Sequence, residues 1–420
     1  MPHATPDGRG GAPAVLQVLQ HLEPDEAGRS AVDVAKYLRA KGWRSVVTSA
    51  GGRLERELAA AGATHLRLPL DRAGWLAVWR NSGRLARAIR RHRVDLVHTH
   101  APVPAWSGSI AARRTGASFV ATFHDVHTLE GALNRRCHGA MTGADRVIAV
   151  SDFIADQLAR EHGVDPTLVR VVHRWIDPDE FDPERVRGHR VQALAERWGI
   201  GAGSAKVVMM PSSVTRGRGH LLLLQALARL ARTDCTVLFV GGLDHRGAYV
   251  KELTAAVRKA GLGERVRFGG DTEDLPAALA LADVVVLAAT RPDPSGAVAA
   301  AAQAMGKPVI VTDNGALAES VMPAATGWLV PPDDADELAR ALDLALSLEE
   351  DVRQRLAARA RAFVISERGL EPMCARTLAV YRELLRPVAQ PRGSGPGAGE
   401  SGLSHHLSST QPPSACQPRS

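Results

Sequence analysis

Short apolar runs alternate along the chain with longer stretches in which apolar positions recur at helical spacing. The short runs predict β-strands, and the longer stretches, rich in Ala, Leu and Arg, predict amphipathic helices. In the first half, the short runs lie at residues 15–19, 45–48, 65–68, 95–98, 119–123, 146–150 and 169–173. In the second half, they lie at residues 207–210, 236–240, 266–268, 284–287 and 309–312. This alternation is typical of parallel α/β sheets.

The alternation of predicted strands and helices is interrupted between the two halves and ends near residue 385. This interruption, at residues 177–203, is rich in Pro, Arg and Gly, and the last residues are Gly-, Ser- and Pro-rich without periodicity. We therefore predict an α/β fold with two Rossmann-like, doubly wound domains that face each other across a cleft. The predicted segments are a flexible N-terminus (1–13), a first domain (14–186), a linker (187–203), a second domain (204–369), a C-terminal helix that returns to the first domain (370–386) and a disordered tail (387–420).

Composition limits the classes of function. The chain has 420 residues, 45% of them hydrophobic, which is enough for two cores of ordinary size. Its 52 Lys and Arg outnumber its 45 Asp and Glu, giving a formal charge of +7. Because this charge is dispersed and no aromatic and basic platform accompanies it, we expect no nucleic-acid partner.

Cysteine usage and hydropathy indicate a compartment. The 4 cysteines are far apart without a CxxC pair, so we interpret them as reduced, mostly buried thiols. The first dozen residues lack the apolar core of a signal peptide, and no apolar run is long enough to span a membrane. We therefore expect a cytoplasmic protein, which would meet a membrane, if at all, at its inner face.

The loop after the first strand excludes a dinucleotide-binding motif. Residues 20–28 contain a single glycine where a GxGxxG motif would lie, and the Gly-rich stretch at 199–203 precedes a strand instead of following one. A P-loop is absent too. Asp177 and Asp179 have a spacing that can hold a divalent cation, but carboxylates in a Pro-rich turn are ordinary at a helix start, so we expect no metal.

A basic, glycine-rich cluster follows the first strand of the second half. Arg216, Arg218 and Gly219 precede the helical run at 221–232. Cations beside the free N–H groups of a helix N-terminus form an anion site, and glycines let the backbone approach. A diphosphate would suit this cluster, whereas the alternative interpretation is a solvated basic turn.

A second candidate anion site follows the strand at 284–287. Ser295 is a plausible N-cap, which would leave the N–H groups of Gly296, Ala297 and Val298 facing the cleft. The alternative is an ordinary strand-to-helix connection.

Histidines cluster at the strand ends of the first half. His98, His100, His124 and His127 would project into the cleft. They have no cysteine partner, so we favour polar contacts with a ligand over a zinc site. His124 is the best placed, with Asp125 available to orient its loop.

A basic amphipathic helix is predicted after residue 74. The residues that would contact an anionic membrane or a lipid-linked acceptor are Trp75, Trp79, Arg80, Arg84, Arg87 and Arg91. The alternative is a solvated, Arg-rich face over an apolar core stripe.

Several motifs together resemble one family. They are Val94–His100, Thr122–His124, Arg146–Ser151, Val172–Asp177 with Phe181, Ala304–Ile310 and Thr326–Pro332. In order and spacing, from about residue 15 to 385, they resemble the GT-B fold glycosyltransferases of family 4, a retaining group with many lipopolysaccharide and cell-envelope members.

The resemblance implies a function and residue roles. It implies transfer of a sugar from a UDP- or GDP-linked donor in the second domain to a glycan or lipid-linked acceptor at the first, with retention and without a metal or other cofactor. Arg218 stands where the family has a diphosphate-binding Lys. His124 matches the histidine near the donor sugar, and Asp293 the first acid of a motif with two glutamates. We therefore expect His124 and Asp293 to be catalytic.

The sequence departs from the family pattern in the donor site. Asp25-Glu26 replaces a Gly-Gly pair and would repel a diphosphate. Ser212-Ser213 replaces Gly-Arg, Asp293 shortens the first acid, Ser295 replaces a Phe, and Ala301 replaces the second acid. The alternative hypothesis is therefore a catalytically impaired GT-B protein that acts as a partner or regulator in envelope glycan synthesis.

Overall fold

The computed structural model describes residues 11–72, 74–125, 132–201, 205–243 and 247–385. Within them, two parallel sheets lie in one compact unit. The first sheet has the strand order β3-β2-β1-β4-β5-β6-β7, with bounds Ala14–Val18 (β1), Arg44–Ser49 (β2), Thr64–Arg67 (β3), Leu96–Thr99 (β4), Ser118–Phe123 (β5), Arg146–Ala149 (β6) and Val169–Val171 (β7).

The second sheet has the order β10-β9-β8-β11-β12-β13. Its bounds are Lys206–Pro211 (β8), Cys235–Val240 (β9), Val266–Gly270 (β10), Val284–Leu287 (β11), Val309–Thr312 (β12) and Trp328–Val330 (β13). In each sheet the strand order reverses next to the strand that comes first in the sequence, between β1 and β4 in one sheet and between β8 and β11 in the other. Open α/β sheets bind ligands at this point. The predicted fold class, two Rossmann-like α/β domains, is confirmed.

Helices cover both faces of each sheet. In the first half and in the segment between the two sheets, the helices are Glu26–Ala40 (α1), Glu55–Ala60 (α2), Trp75–His92 (α3), Pro102–Thr115 (α4), Ala132–Thr142 (α5), Asp152–His162 (α6) and Gly188–Trp198 (α7). The others are His220–Arg229 (α8), Ala248–Lys259 (α9), Leu275–Leu281 (α10), Ala297–Ala304 (α11), Ala335–Leu346 (α12), Glu350–Arg368 (α13) and Leu370–Leu385 (α14).

The strands lie close to where the apolar runs predict them because both faces of each sheet are covered. Every residue of β1 and of β11 is buried, so these strands do not alternate between apolar and polar positions; β11 is apolar throughout, and Gln17 is the one polar residue of β1. The one described strand that the sequence analysis misses is β13, which has three residues, two of them half-buried.

The segment predicted as a linker contains a helix that packs against the second sheet. Residues 187–203 contain helix α7, whose Leu194 and Trp198 are buried in the same core as Val207 and Met209 of the second sheet. The Trp198 indole N–H donates to the Gly269 carbonyl at 2.9 Å. The surrounding Pro, Gly and Arg residues obscured this apolar helix face in the sequence. Because α7 packs against the second sheet, the second half begins at α7.

Helix α14 packs on the first sheet, although it follows the second in sequence. Its Met373, Cys374 and Tyr381 are buried in one cluster with Val15 and Leu96 of β1 and β4. The three described cysteines are free and buried, whereas Cys416 lies outside the described residues. So do the predicted tail and all of the predicted N-terminus except residues 11–13.

Candidate active site between the two sheets

Two adjoining cavities lie where the C-terminal ends of the strands meet. The larger, here called the cleft cavity, has a volume of about 810 Å³ and is lined from both halves. The smaller, here called the donor-side cavity, has about 380 Å³ and is lined mainly by the loops after β8 and β11. Glu26, Leu275, Ala297 and Val298 line both, so the two cavities form one continuous site.

The loop between β8 and α8 positions Arg218. Gly219, at φ +89°, is the N-cap of α8, and a Cβ there would lie 1.6 Å from the Ala288 carbonyl oxygen, so only glycine fits. Arg218 lines the donor-side cavity and donates to Asp293 Oδ2 at 2.6 Å. Among the described residues that line this cavity, Arg218 is the sole cation.

Arg216, predicted to contact the same diphosphate, is directed elsewhere. Its guanidinium pairs with Glu252 and lies 5.2 Å from the centre of the Tyr249 ring, both on α9. Gly217, at φ +91° between the two arginines, reverses the direction of the chain. A carboxylate and an aromatic face on α9 therefore hold Arg216 outside the donor-side cavity.

The predicted N-cap of α11 is also wrong by one residue. Gly296, at φ +60°, is the N-cap, and Asp293 Oδ1 accepts the N–H groups of Ser295 and Gly296 at 3.1 and 2.8 Å. The Ala297 N–H donates to Ser295 Oγ at 3.4 Å. Two of the N–H groups predicted to face a diphosphate therefore already have partners within the loop. Asp293 thus both fixes this loop and pairs with Arg218.

Residues that depart from the family pattern line the two cavities. Ser212 and Ser213 line the donor-side cavity, and Ala301 is buried in the wall of the cleft cavity. Gln303 does not replace the missing acid, because its Nε2 donates to the Ser320 carbonyl at 2.5 Å.

His98 and His100 are components of a buried network instead of free groups in the cleft. The His98 ring nitrogens lie 2.6 Å from Tyr381 Oη and 2.7 Å from Thr122 Oγ1. Burial lowers the pKa of His98 to about 3, so this ring is neutral. His127 lies outside the described residues.

The partners of His100 determine the tautomer of His124. Gln17 Nε2 donates to the Ala31 carbonyl at 2.8 Å, which leaves Gln17 Oε1 to accept from His100 Nε2 at 3.1 Å. His100 Nδ1 then accepts from His124 Nε2 at 3.5 Å, and His124 Nδ1 is left as an acceptor. Burial lowers the pKa of His124 to about 4, so the ring that lines the cleft cavity is neutral at pH 7.

The expected repulsion from Asp25 and Glu26 is reduced by their contacts. Asp25 is the N-cap of α1 and accepts the Gly28 N–H at 2.8 Å, and Glu26 pairs with Arg174. Burial lowers the pKa of Arg174 to about 10, opposed by the charges of Asp293 and Asp25. Arg174 is therefore a cation at the centre of the site. The sequence analysis does not predict this role, although Arg174 lies in the motif after β7.

Asp152, His173 and Glu319 form a cluster with potential ligand atoms within 4.8 Å of one another. Glu319 accepts the backbone N–H groups of Asp152 and Phe153 at 2.9 and 2.6 Å, so its carboxylate caps α6. Burial alone would raise the pKa of Glu319, but hydrogen bonds from His173 and these N–H groups hold the pKa below its usual value. This cluster therefore connects the two halves beside the site.

Helix α3 is amphipathic as predicted. Trp75, Leu76 and Trp79 are 69%, 50% and 63% exposed, whereas Leu85 and Ile89 are buried. The arginines at 80, 84, 87 and 91 are exposed. Within the described part of the chain, no helix is both long and apolar enough to cross a membrane.

Two family models and several relatives match this architecture. Residues 27–180 match "Glycosyltransferase Family 4" and residues 195–363 match "Glycosyl transferases group 1". The chain is 32% identical over 306 residues to a D-inositol 3-phosphate glycosyltransferase from Xylanimonas cellulosilytica, covering 69% of this chain and 72% of that protein. A relative of the same activity from Catenulispora acidiphila is 30% identical and is covered to 72% of its length.

Solved structures share the fold. A glycosyltransferase from Rickettsia africae superposes with a TM-score of 0.79 and 28% identity, over 89% of this chain and 99% of that one. HepE from Anabaena in complex with UDP superposes with a TM-score of 0.73 and 23% identity, over 88% and 100%. These likenesses do not favour the alternative of a protein without catalysis. The chain belongs to the family 4 glycosyltransferases of the GT-B fold and is a hexosyltransferase-type enzyme.

Proposed function

We propose that this enzyme transfers a hexosyl group from a UDP- or GDP-linked sugar to a cell-envelope glycan or lipid-linked acceptor, with retention of configuration and without a metal or other cofactor. The observation that carries the proposal is the continuous site in which His124 and the Arg218–Asp293 pair line adjoining cavities. One cavity is lined largely by the first half, and the other by the strand-end loops of the second, which matches an acceptor side and a donor side.

On the donor side, Arg218 is the group that neutralises the departing diphosphate. Its present partner, Asp293, also accepts two backbone N–H groups, so Asp293 stays satisfied when the guanidinium turns to the phosphate oxygens. Arg218 lines the same cavity and directly precedes the Gly219 N-cap of α8, so the positive dipole end of that helix is adjacent to it. Charge that develops on the leaving group is thus stabilised without a metal ion.

On the opposite side, the neutral His124 ring orients the donor sugar. With Nε2 donating to His100, the Nδ1 lone pair accepts a hydroxyl of the sugar in the cleft cavity. A neutral ring avoids placing a second cation beside an oxocarbenium-like transition state. Relatives supply the first donor to test, because HepE from Anabaena is solved with UDP-glucose.

A lipid-linked acceptor would require access to a membrane surface. The exposed Trp75, Leu76 and Trp79 with the arginines along α3 form a surface of aromatic and cationic groups that suits anionic lipid. We expect co-sedimentation with liposomes that contain phosphatidylglycerol, and its loss in the double variant Trp75→Ala and Trp79→Ala. Co-sedimentation that is independent of anionic lipid would contradict this part of the proposal.

The donor proposal is tested by nucleotide release. UDP-glucose and GDP-mannose are incubated with the full chain, and release of UDP or GDP is measured with and without extracts of envelope glycan, alongside calorimetry of each nucleotide. We expect one nucleotide to bind below millimolar concentration and to be released faster with an acceptor. Folded protein that neither binds nor releases either nucleotide would contradict the proposal.

The relatives named D-inositol 3-phosphate glycosyltransferase offer a second acceptor to consider, inositol 3-phosphate. A phosphorylated acceptor requires cations in the cleft cavity that are available to contact its phosphate. The charged residues that line this cavity therefore bear on the choice of acceptor.

A further inference from the structure

The wall of the cleft cavity is acidic on the side of α1 and α2. Its permanently charged cations are Arg29, Lys36 and Arg174. Its carboxyl groups are twice as numerous and are those of Asp25, Glu26, Asp33, Glu57, Asp177 and Glu180. An anionic ligand in this cavity therefore meets an excess of like charge.

The cations of this wall are already paired. Glu57 accepts from Arg29 Nη1 at 2.9 Å and from Lys36 Nζ at 2.7 Å, and Glu26 pairs with Arg174. A phosphate would therefore compete with a carboxylate for each of these cations. Among the described lining residues, every Lys and Arg already has a carboxylate partner.

One carboxylate oxygen of the same wall lacks a hydrogen-bond partner. Asp33 is only 7% exposed, and its Oδ1 lies 3.5 Å from Lys36 Nζ, whereas its Oδ2 has no hydrogen-bond partner. A buried acceptor oxygen without a donor is costly and is uncommon in folded proteins. Burial raises the pKa of Asp33 to about 6, so the group is ionised at pH 7.5 and ready to accept a hydrogen bond.

We propose that this wall, here called the Asp33 subsite, binds an acceptor that carries no phosphate, and that Asp33 Oδ2 accepts a hydrogen bond from its hydroxyl or ammonium group. The class is a neutral or amine-bearing sugar or cyclitol. An ammonium group is favoured most, because it adds a charge attraction to the hydrogen bond. This inference rests on the proposed function, since it assigns the acceptor of the same reaction.

The test compares three probes that share one pyranose ring: glucosamine, glucose and glucose 6-phosphate. Binding to the full chain is measured by calorimetry at pH 7.5 and low salt. We expect glucosamine to bind at least tenfold more tightly than glucose 6-phosphate, with glucose between them. Equal affinities, a preference for the phosphorylated sugar, or no binding of glucosamine would each overturn the proposal.

Two variants and a control separate the subsite from general charge effects. Asp33→Asn should reduce the preference for glucosamine to less than threefold. Glu57→Gln should free Arg29 and Lys36 and raise the affinity for glucose 6-phosphate at least tenfold, which a merely structural role for Glu57 would not do. Asp351→Asn, on the exposed surface of α13 where it pairs with Arg355, should leave all three affinities unchanged.

Nucleotide release on the same samples distinguishes the two proposals. Release without the expected probe preference overturns the Asp33 subsite and leaves the transferase proposal standing. The expected preference without nucleotide binding overturns the donor proposal and leaves the subsite standing.

Discussion

The two sides of the site differ in how many groups hold each functional residue. On the first-half side, His124 is connected through His100 to Gln17, while Tyr381 and Thr122 hold the adjacent His98. On the donor side, Arg218 has one charged partner, Asp293, and the family's second acid is Ala301. The sugar-facing side is a connected network, whereas the donor side depends on one ion pair.

This difference shows where the enzyme is sensitive to change. The histidine network holds neutral rings, so the loss of one of its members changes the orientation of His124 but removes no charge from the site. On a side with one cation, the loss of that cation removes most of the electrostatic stabilisation of the leaving group. Substitutions on the donor side should therefore change catalysis more than those in the histidine network.

The largest effect is expected for Arg218→Ala. It removes the sole cation among the described residues lining the donor-side cavity, and we expect nucleotide release to fall about a thousandfold, the upper range for losing one preorganised donor. The matched control is Arg216→Ala, which removes an arginine that pairs with Glu252 and should change release less than threefold. An equal loss in both variants would show that Arg216 also contacts the donor.

Ala301→Glu should strengthen the weaker side. A carboxylate on the cavity-facing side of α11 would accept ribose hydroxyls, and each such hydrogen bond contributes about 1.5 to 3 kcal/mol, so nucleotide affinity should rise about ten- to a hundredfold. Ala301→Gln, of similar size but uncharged, should give a smaller gain. Unchanged affinity in the Glu variant would place the ribose elsewhere.

Asp33→Asn should stabilise the fold at neutral pH. Because burial raises the folded-state pKa of Asp33 to about 6 from 3.8, the folded chain binds this proton more tightly than the unfolded chain. The resulting stability is present at low pH and is lost as pH rises through about 6, a change of about 2 to 3 kcal/mol.

The difference between wild type and Asp33→Asn isolates this group from other titrations. The free energy of unfolding of each protein is measured by chemical denaturation at several pH values. The variant should be the more stable protein at pH 7.5, and the difference in free energy of unfolding should narrow as pH falls from 7 to 4. The histidines contribute equally to the pH dependence of unfolding in both proteins, so their contribution cancels in the difference. A gap that widens at low pH would show that the buried carboxylate is stabilised by its contacts.

The fold could be predicted because most of its strands are short apolar runs, and the strands inside each sheet are largely buried. The site could be predicted only in part. Sequence places Arg216 and Arg218 in one basic cluster, but the positive φ of Gly217 directs them to different partners. Likewise, Ser295 has the chemistry of an N-cap, yet the N-cap of α11 is Gly296, one residue later, and Asp293 accepts the N–H groups of Ser295 and Gly296.

The remaining groups of the site depend on contacts between distant elements. Arg174 becomes a site residue because Glu26, on α1, lies against it, and Asp33 is left with an unpartnered oxygen because Lys36 also binds Glu57 of α2. No local pattern in the sequence encodes these pairings, so only the tertiary structure could show them.

The smallest of the expected effects concerns the histidine network. Gln17→Leu removes the acceptor of His100 Nε2, which frees His100 to change tautomer and removes the fixed orientation of His124. We expect the rate of nucleotide release to fall about tenfold with nucleotide affinity unchanged, since Gln17 lies on the side away from the diphosphate. Gln157→Leu, on the exposed face of α6, is the control and should change neither value. If Gln17→Leu lowered release as strongly as Arg218→Ala, the first-half side would be as dependent on single residues as the donor side, and the contrast between the two sides would be wrong.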